Sequence, residues 1–289
     1  MPVKIKSRPR DETWDSTPES LPGHSGRMGF FRTQRGLIRS LFLYYGVPFR
    51  VRRMRSLYRT FLSAGDLAFD IGAHVGNRVR IWNAIGVHTI AVEPQPSCIA
   101  VMRRLYGKNR RVTIVPMAVG SEQGTTTLYV SDASPTLTTT SRDWAATVKK
   151  AELFSGVAWD TEITVPVTTI DRLIDQHGEP AFVKIDVEGS ERAVLDGLTR
   201  RIRAVSFEFL PAALDVAFSC LDRMTELGAY EYNLSRVETM RFEYESWVDA
   251  DAIRGFLSRL GRNDRSGDVY ARLTARADDA RGTSGRAEP

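Results

Sequence analysis

Asp70-Ile71-Gly72-Ala73-His74-Val75-Gly76 places a carboxylate and three small residues where an apolar run, Leu67 to Ile71, gives way to a helical pattern. Small residues at such a turn let a ligand approach the backbone closely. In a doubly wound sheet, the turn from the first strand into the first helix is where nucleotide-like cofactors sit. Glu93 ends the next apolar run, 21 residues beyond Gly72. An acid there can accept hydrogen bonds from both hydroxyls of a ribose. A third group lies further on, where Lys184, Asp186 and Glu188 alternate with Val183, Ile185 and Val187. If the strand runs from Phe182 to Val187, alternation aims the three ionisable residues to one side. Glu208, inside Val205 to Phe209, is a further acid for the same sheet edge. Carboxylates gathered there can take a proton or orient a hydroxyl.

The loop also discriminates between cofactors. A dinucleotide fingerprint requires G-x-G-x-x-G so that amides can meet a pyrophosphate, but the second glycine position is His74 and the strand ends on Asp70. A carboxylate there repels a pyrophosphate. S-adenosylmethionine has no phosphate and carries an ammonium and a sulfonium, which an acidic strand end suits. The expected cofactor residues are therefore Asp70, Gly72, His74, Gly76 and Glu93, with Met117 and Ala118 flanking the adenine. The structural alternative for the acids is a mutually satisfied Lys184–Asp186 pair, since an unpaired buried charge is costly.

These residues need elements to hold them. From Asp66 onward strand and helix patterns alternate: strands at Leu67–Ile71, His88–Val92 and Val112–Val115, with helices at Gly76–Ile85 and Pro96–Tyr106. Thr125–Val130 is an extended run after a turn. Phe182–Val187, Glu191–Leu198 and Val205–Phe209 repeat strand, helix, strand. The pattern predicts an α/β fold with a largely parallel sheet and helices on both faces. Ser131 to Asp160 shows no clean periodicity and reads as a lid or substrate loop. Gly36 to Leu62 carries apolar residues at helical spacing, broken at Gly46-Val47-Pro48, and predicts extra N-terminal helices. Residues 1–30 and 276–289 read as a disordered basic leader and a disordered tail, around N-terminal helices at 31–64 and a catalytic domain at 65–275.

The motifs DIGAHVG, VEP at Val92 to Pro94, AVG at Ala118 to Gly120, V-x-V-x-T-I-D at Val165 to Asp171, KIDVEGSE at Lys184 to Glu191 and FEF at Phe207 to Phe209 resemble the FkbM-type methyltransferases. The resemblance covers roughly residues 60 to 235. It implies a Rossmann-like class I methyltransferase sheet, S-adenosylmethionine as cofactor, and hydroxyl acceptors on sugars, polyketides or similar metabolites. The family usually has Asn where His74 stands, which would replace a pH-insensitive contact with a sensitive one. For catalysis the candidates are Asp186, Glu188 and Glu208; Asp186 could instead contact the methionine moiety. The enzyme alternative is an NAD(P)-dependent oxidoreductase on the same sheet. The non-enzyme alternative is a SAM-binding module without turnover.

At 289 residues and 42% hydrophobic composition, the chain can bury one substantial core. Cys98 and Cys220 lie far apart, with no CxxC pair and no Cys/His cluster at ligand spacing, so no metal site is expected. A divalent cation bridging two carboxylates to a diol is chemically conceivable, without a complete ligand set in the sequence. The net charge of +5 conceals an asymmetry, because residues 1–59 hold 13 Lys/Arg against 4 Asp/Glu and the remainder is close to −4. A basic leader could touch acidic lipid headgroups peripherally. No basic stripe interleaved with aromatics points to nucleic acid. No apolar run is long enough to span a bilayer and no secretory signal opens the chain, so a cytoplasmic location is expected.

Overall fold

The computed structural model describes residues 48–131, 137–150, 156–159, 161–236 and 239–274. The expected leader and tail, and the first of the two expected N-terminal helices, lie outside them. The second is α1, Pro48–Tyr58. From Leu67 the chain alternates as its periodicity requires: β1 (Leu67–Ile71), α2 (Asn77–Ile85), β2 (His88–Val92), α3 (Pro96–Tyr106) and β3 (Val112–Val115). Pro96 opens α3 where no helical N–H is needed. After β4 (Ala118–Val119), β5 (Gly124–Val130), α4 (Arg142–Val148) and β6 (Thr161–Thr168) come α5 (Ile170–His177), β7 (Phe182–Ile185), α6 (Glu191–Asp196) and β8 (Ala204–Phe209). A 3-10 turn, Pro211–Ala213, leads into α7 (Leu214–Leu227), β9 (Tyr230–Arg236), α8 (Ala250–Leu257) and β10 (Gly267–Leu273).

Seven strands form the main sheet in the order β3-β2-β1-β7-β8-β10-β9. β1 pairs in parallel with β2 and β7, and β7 with β8, while β10 runs antiparallel between β8 and β9. The chain builds outward from β1 to β3 and later returns to add β7 on the other side of β1. The order therefore reverses between β1 and β7, and a crevice opens at their C-terminal ends, where ligands bind in such sheets. β4, β6 and β5 make a separate three-stranded sheet beside this crevice.

Strand alternation divides the core between two faces. Ala68, Phe182, Ala204 and Tyr270 meet Met54, Leu57 and Tyr58 of α1 and Trp82 of α2 on one face. Tyr58 meets the edge of Trp82 at 5.4 Å between ring centres. Phe69, Ile71, Val183, Ile185 and Phe207 face the other way, under apolar residues of α5, α6, α7 and α8. Helices thus cover both faces, as the strand–helix alternation requires. No described helix is long and apolar enough to cross a membrane.

The stretch from Ser131 to Asp160 is not structureless. It contains α4, capped by Ser141, whose side chain accepts from the Trp144 amide. Trp144, Ala145 and Val148 pack on Ala212 and Ala213 of the 3-10 turn. Two helical turns are too short to register as a period, which is why the sequence conceals them.

Candidate functional site

At the C-terminal ends of β1, β2 and β7 a cleft of about 790 Å³ opens to solvent, lined among others by Gly72, His74, Glu93, Met117, Ala118 and Glu188. Five of the seven expected cofactor residues therefore border one space. Glu93 is 7% exposed, and each of its oxygens is fixed by a backbone donor: His74 N–H to Oε2 at 2.8 Å and Gln95 N–H to Oε1 at 2.9 Å. Burial drives its carboxyl up to about 7 against the pull of those two hydrogen bonds. Two buried polar atoms on the cleft wall, Gln95 Nε2 and Thr138 Oγ1, have no partner among the described residues. Orphaned polar atoms lining a cleft at the strand ends fit a polar ligand such as a nucleoside.

His74 stands in the left-handed region at φ 49°. Burial and the charge of Arg78 lower its imidazole to about 4. The pH-sensitive contact expected of this substitution is therefore corrected, because the ring stays neutral across the working range. Sensitivity near neutrality moves to Glu93.

Gly72 is required for a reason other than ligand approach. Its φ is +78°, and a β-carbon there would lie 1.8 Å from the Asp186 carbonyl oxygen. The ends of β1 and β7 come too close for any side chain. Gly72→Ala is thus expected to cost about 2–4 kcal/mol through strain and overlap. A thermal melt checks this, and wild-type stability in the variant would show that the strand ends can part without penalty.

Asp70 and Gly76 do not line the cleft. Asp70 is fully buried beneath it and accepts from Arg78 Nε at 2.6 Å. Gly76 precedes α2, and its carbonyl accepts from the Tyr106 hydroxyl. Charge at the strand end thus reaches the cleft through Arg78, a residue the sequence did not single out. Arg78 also donates from Nη1 to Asp186 and from Nη2 to the Gly72 carbonyl, each at 2.6 Å.

The acids converge by a different route from the one expected. β7 ends at Ile185, so simple alternation does not extend to Glu188, which turns back through φ 55°. The turn is pinned by Thr139 Oγ1 donating to the Glu188 carbonyl and by Glu191 accepting from the amides of Val187 and Gly189. Asp186, Glu188 and Glu208 nevertheless bring carboxylate oxygens within 4.8 Å of one another. Lys184 is not the partner of Asp186; its ammonium donates to Asp268 of β10 at 2.6 Å and to the Ile185 carbonyl at 3.0 Å. The Lys–Asp pair weighed as the structural alternative exists with a different aspartate, which β10 supplies as β8's antiparallel neighbour.

The cluster is electrostatically unequal. Burial would raise Asp186, but the charges of Lys184 and Arg78 and hydrogen bonds from Arg78 and Glu208 hold it below the ordinary range. Glu188 is pushed well up by burial and then by Asp186 and Glu191. Glu208 is pushed well up by burial and then by Glu188 and Asp186. Oxygens at this spacing can share protons or receive a cation.

The sequence profile of the methyltransferase FkbM domain matches residues 70–263. No curated protein matches the chain significantly. Among solved structures, the chain resembles a precorrin-6y C5,15-methyltransferase from Geobacter metallireducens GS-15 at 14% identity and TM-score 0.42, covering 78% of this chain and 87% of that one. It also resembles a TehB-like SAM-dependent methyltransferase from Corynebacterium glutamicum at 12% identity and TM-score 0.42, covering 86% and 98%. The matched domain spans about two thirds of the chain and takes in every residue of the cleft and the acid cluster. The chain therefore belongs to the FkbM-domain methyltransferases and uses S-adenosylmethionine as its methyl donor.

Proposed function

We propose that the chain is an O-methyltransferase, acting in the cytoplasm on a hydroxyl of a sugar, glycan or secondary metabolite. The observation that carries this reading is the three-carboxylate cluster, Asp186, Glu188 and Glu208, of which Asp186 and Glu188 line the cofactor cleft. Bound S-adenosylmethionine supplies a methyl group on a sulfonium, which departs as a neutral thioether. The chain's own residues then have three tasks. Glu93 accepts from the ribose hydroxyls, with Met117 and Ala118 beside the adenine and Gly72 and His74 along the methionine side. Asp186 and Glu188 orient the acceptor hydroxyl, and the cluster takes its proton as the new C–O bond forms. An uncharged hydroxyl is a poor nucleophile, and a carboxylate within hydrogen-bond reach supplies what it lacks.

The test is transfer from methyl-¹³C-labelled S-adenosylmethionine into an extract of cells lacking the gene. Carbon shifts separate O-methyl from N-, S- and C-methyl products. An O-methyl signal that depends on the protein is expected, together with a loss of 14 mass units from one cellular metabolite in the deletion strain. Label appearing only on nitrogen, sulfur or carbon would overturn the reading. Addition of EDTA, then Mg²⁺, in the same assay reads whether a cation takes part.

Glu93 gives the cofactor assignment a pH signature. Burial pushes its carboxyl up to about 7. If the ribose hydroxyls need the anion, binding favours the deprotonated form. Affinity should then be level above pH 7 and fall below it, by at most about tenfold per unit. Calorimetry with S-adenosylmethionine across pH 5.5–8.5 measures this, and Glu93→Gln should flatten the profile while weakening binding by about 1–3 kcal/mol. A level wild-type profile removes Glu93 from the ribose contact.

A further inference from the structure

Arg78 is 8% exposed and binds three groups at once: Asp70 behind the cleft, the carbonyl of Gly72 in the cofactor loop, and Asp186 in the acid cluster. We propose that Arg78 is a positioning residue that fixes Asp186 as the standing anion of the cluster, so that Glu188 is the carboxylate that receives the acceptor's proton. This rests on the hydroxyl-methylation reading above and divides the labour within it.

The groups facing Asp186 come from every element around it. Arg78 approaches from α2, Lys184 from β7 with Asp268 of β10 behind it, and Glu208 from β8; Glu188 comes from the turn, Glu191 from the start of α6, and Asp70 stands behind Arg78. A proton placed on Asp186 would forfeit its ion pair with Arg78 and its attraction to Lys184 in a buried site, which is costly. Asp186 is therefore suited to hold and orient a hydroxyl and unsuited to accept its proton. Glu208 lies within reach of Asp186 but lines a smaller cavity beside Trp144, apart from the main cleft. Glu188 lines the cleft itself, and among the described residues it has no salt bridge. Its left-handed backbone is uncommon for a residue with a side chain, and such conformations persist where the surroundings impose them. Thr139 and Glu191 impose it here. As the acceptor oxygen bonds to the methyl carbon and the C–S bond breaks, the O–H proton passes to the Glu188 carboxylate and later to water. Before that step Glu188 must itself be ionised, which the charges of Lys184 and Arg78 favour and its burial and the neighbouring carboxylates oppose.

The experiment is a ¹³C-carboxyl NMR titration of the full chain saturated with S-adenosylhomocysteine, in wild type, Arg78→Gln and Arg78→Lys. In wild type the Asp186 midpoint should lie below that of Glu188. Arg78→Gln should raise the Asp186 midpoint by a pH unit or more and weaken S-adenosylhomocysteine at least tenfold, because the Gly72 carbonyl loses its donor. Arg78→Lys should restore most of the midpoint and little of the affinity, since an ammonium replaces the charge but not the planar three-way fork. A residue that merely supports the fold would lower the melting temperature and leave the midpoint in place. An unmoved Asp186 midpoint in both variants overturns the proposal. If Arg78→Gln does not fold, the wild-type and Arg78→Lys spectra decide, and a wild-type Asp186 midpoint at or above that of Glu188 overturns it. Failure of the hydroxyl reading shows separately, as label on the wrong atom with these midpoints unchanged.

Discussion

Glu188→Gln is expected to lose about 10²-fold or more in turnover while keeping its melting temperature and most of its affinity for S-adenosylmethionine. The amide preserves shape, and no described salt bridge depends on this carboxylate. Relieving a carboxyl crowded by Asp186 and Glu191 could even stabilise the protein slightly. Asp186→Asn should behave differently. It also lowers turnover, but it weakens the Asp186 arm of the Arg78 fork while Asp70 still balances the guanidinium, so stability and cofactor affinity fall with activity. The two variants thus separate proton transfer from positioning, with label incorporation into the deletion-strain extract as the readout. A Glu188→Gln protein with wild-type turnover would remove this residue from the chemistry. Loss of turnover accompanied by an equal loss of folding would show that the turn at Glu188, rather than its charge, is what matters.

The residues legible in the sequence are those whose partners are close along the chain or whose strand ends are marked by apolar runs. Glu93 and the DIGAHVG loop stand at the ends of two buried strands, and β1 and β2 pair in register from Leu67↔His88 to Ile71↔Val92. The apolar runs that marked those strands also located the cleft. Arg78 was illegible because its meaning lies in Asp186, 108 residues away. One of two arginines in the first turn of an amphipathic helix, Arg78 reads as a solvated charge until the fold brings β7 against β1. Asp268 was missed for the same reason, since it is 84 residues from Lys184 and belongs to a strand past the last one read from the sequence. The error over Glu188 is instructive. Period-two alternation was carried past the end of the strand, and it reached the right cluster only because a left-handed residue ahead of Gly189 turns the side chain back. Sequence periodicity says nothing about a turn whose hydrogen bonds come from Thr139 and Glu191.

Asp268→Ala should be among the most damaging single changes to stability, although Asp268 lines no part of the cofactor cleft. Lys184 is 1% exposed, and its ammonium is held by the Asp268 carboxylate and one carbonyl. Burial alone would lower the lysine, and Asp268 and then Asp186 more than offset this, keeping it charged. Without Asp268 the charge remains in the sheet with Asp186 and then Glu208 near it but no paired carboxylate, a loss of about 3–5 kcal/mol for a broken buried pair. The Asp268 side chain is 19% exposed, so water entering beside it places the expectation at the lower end of that range. At roughly 2–4 °C per kcal/mol for a domain of this size, the melting temperature should fall by roughly 6–12 °C. Asp268→Ala combined with Lys184→Met should recover most of that, because an apolar chain of similar length removes the stranded charge. The double variant should still bind S-adenosylmethionine, yet its Asp186 loses one of the two cations that keep it ionised, so turnover should drop at low pH first. Wild-type stability in Asp268→Ala would mean that Asp186 is the lysine's working partner after all, and Arg78 would then be left to balance Asp70 alone.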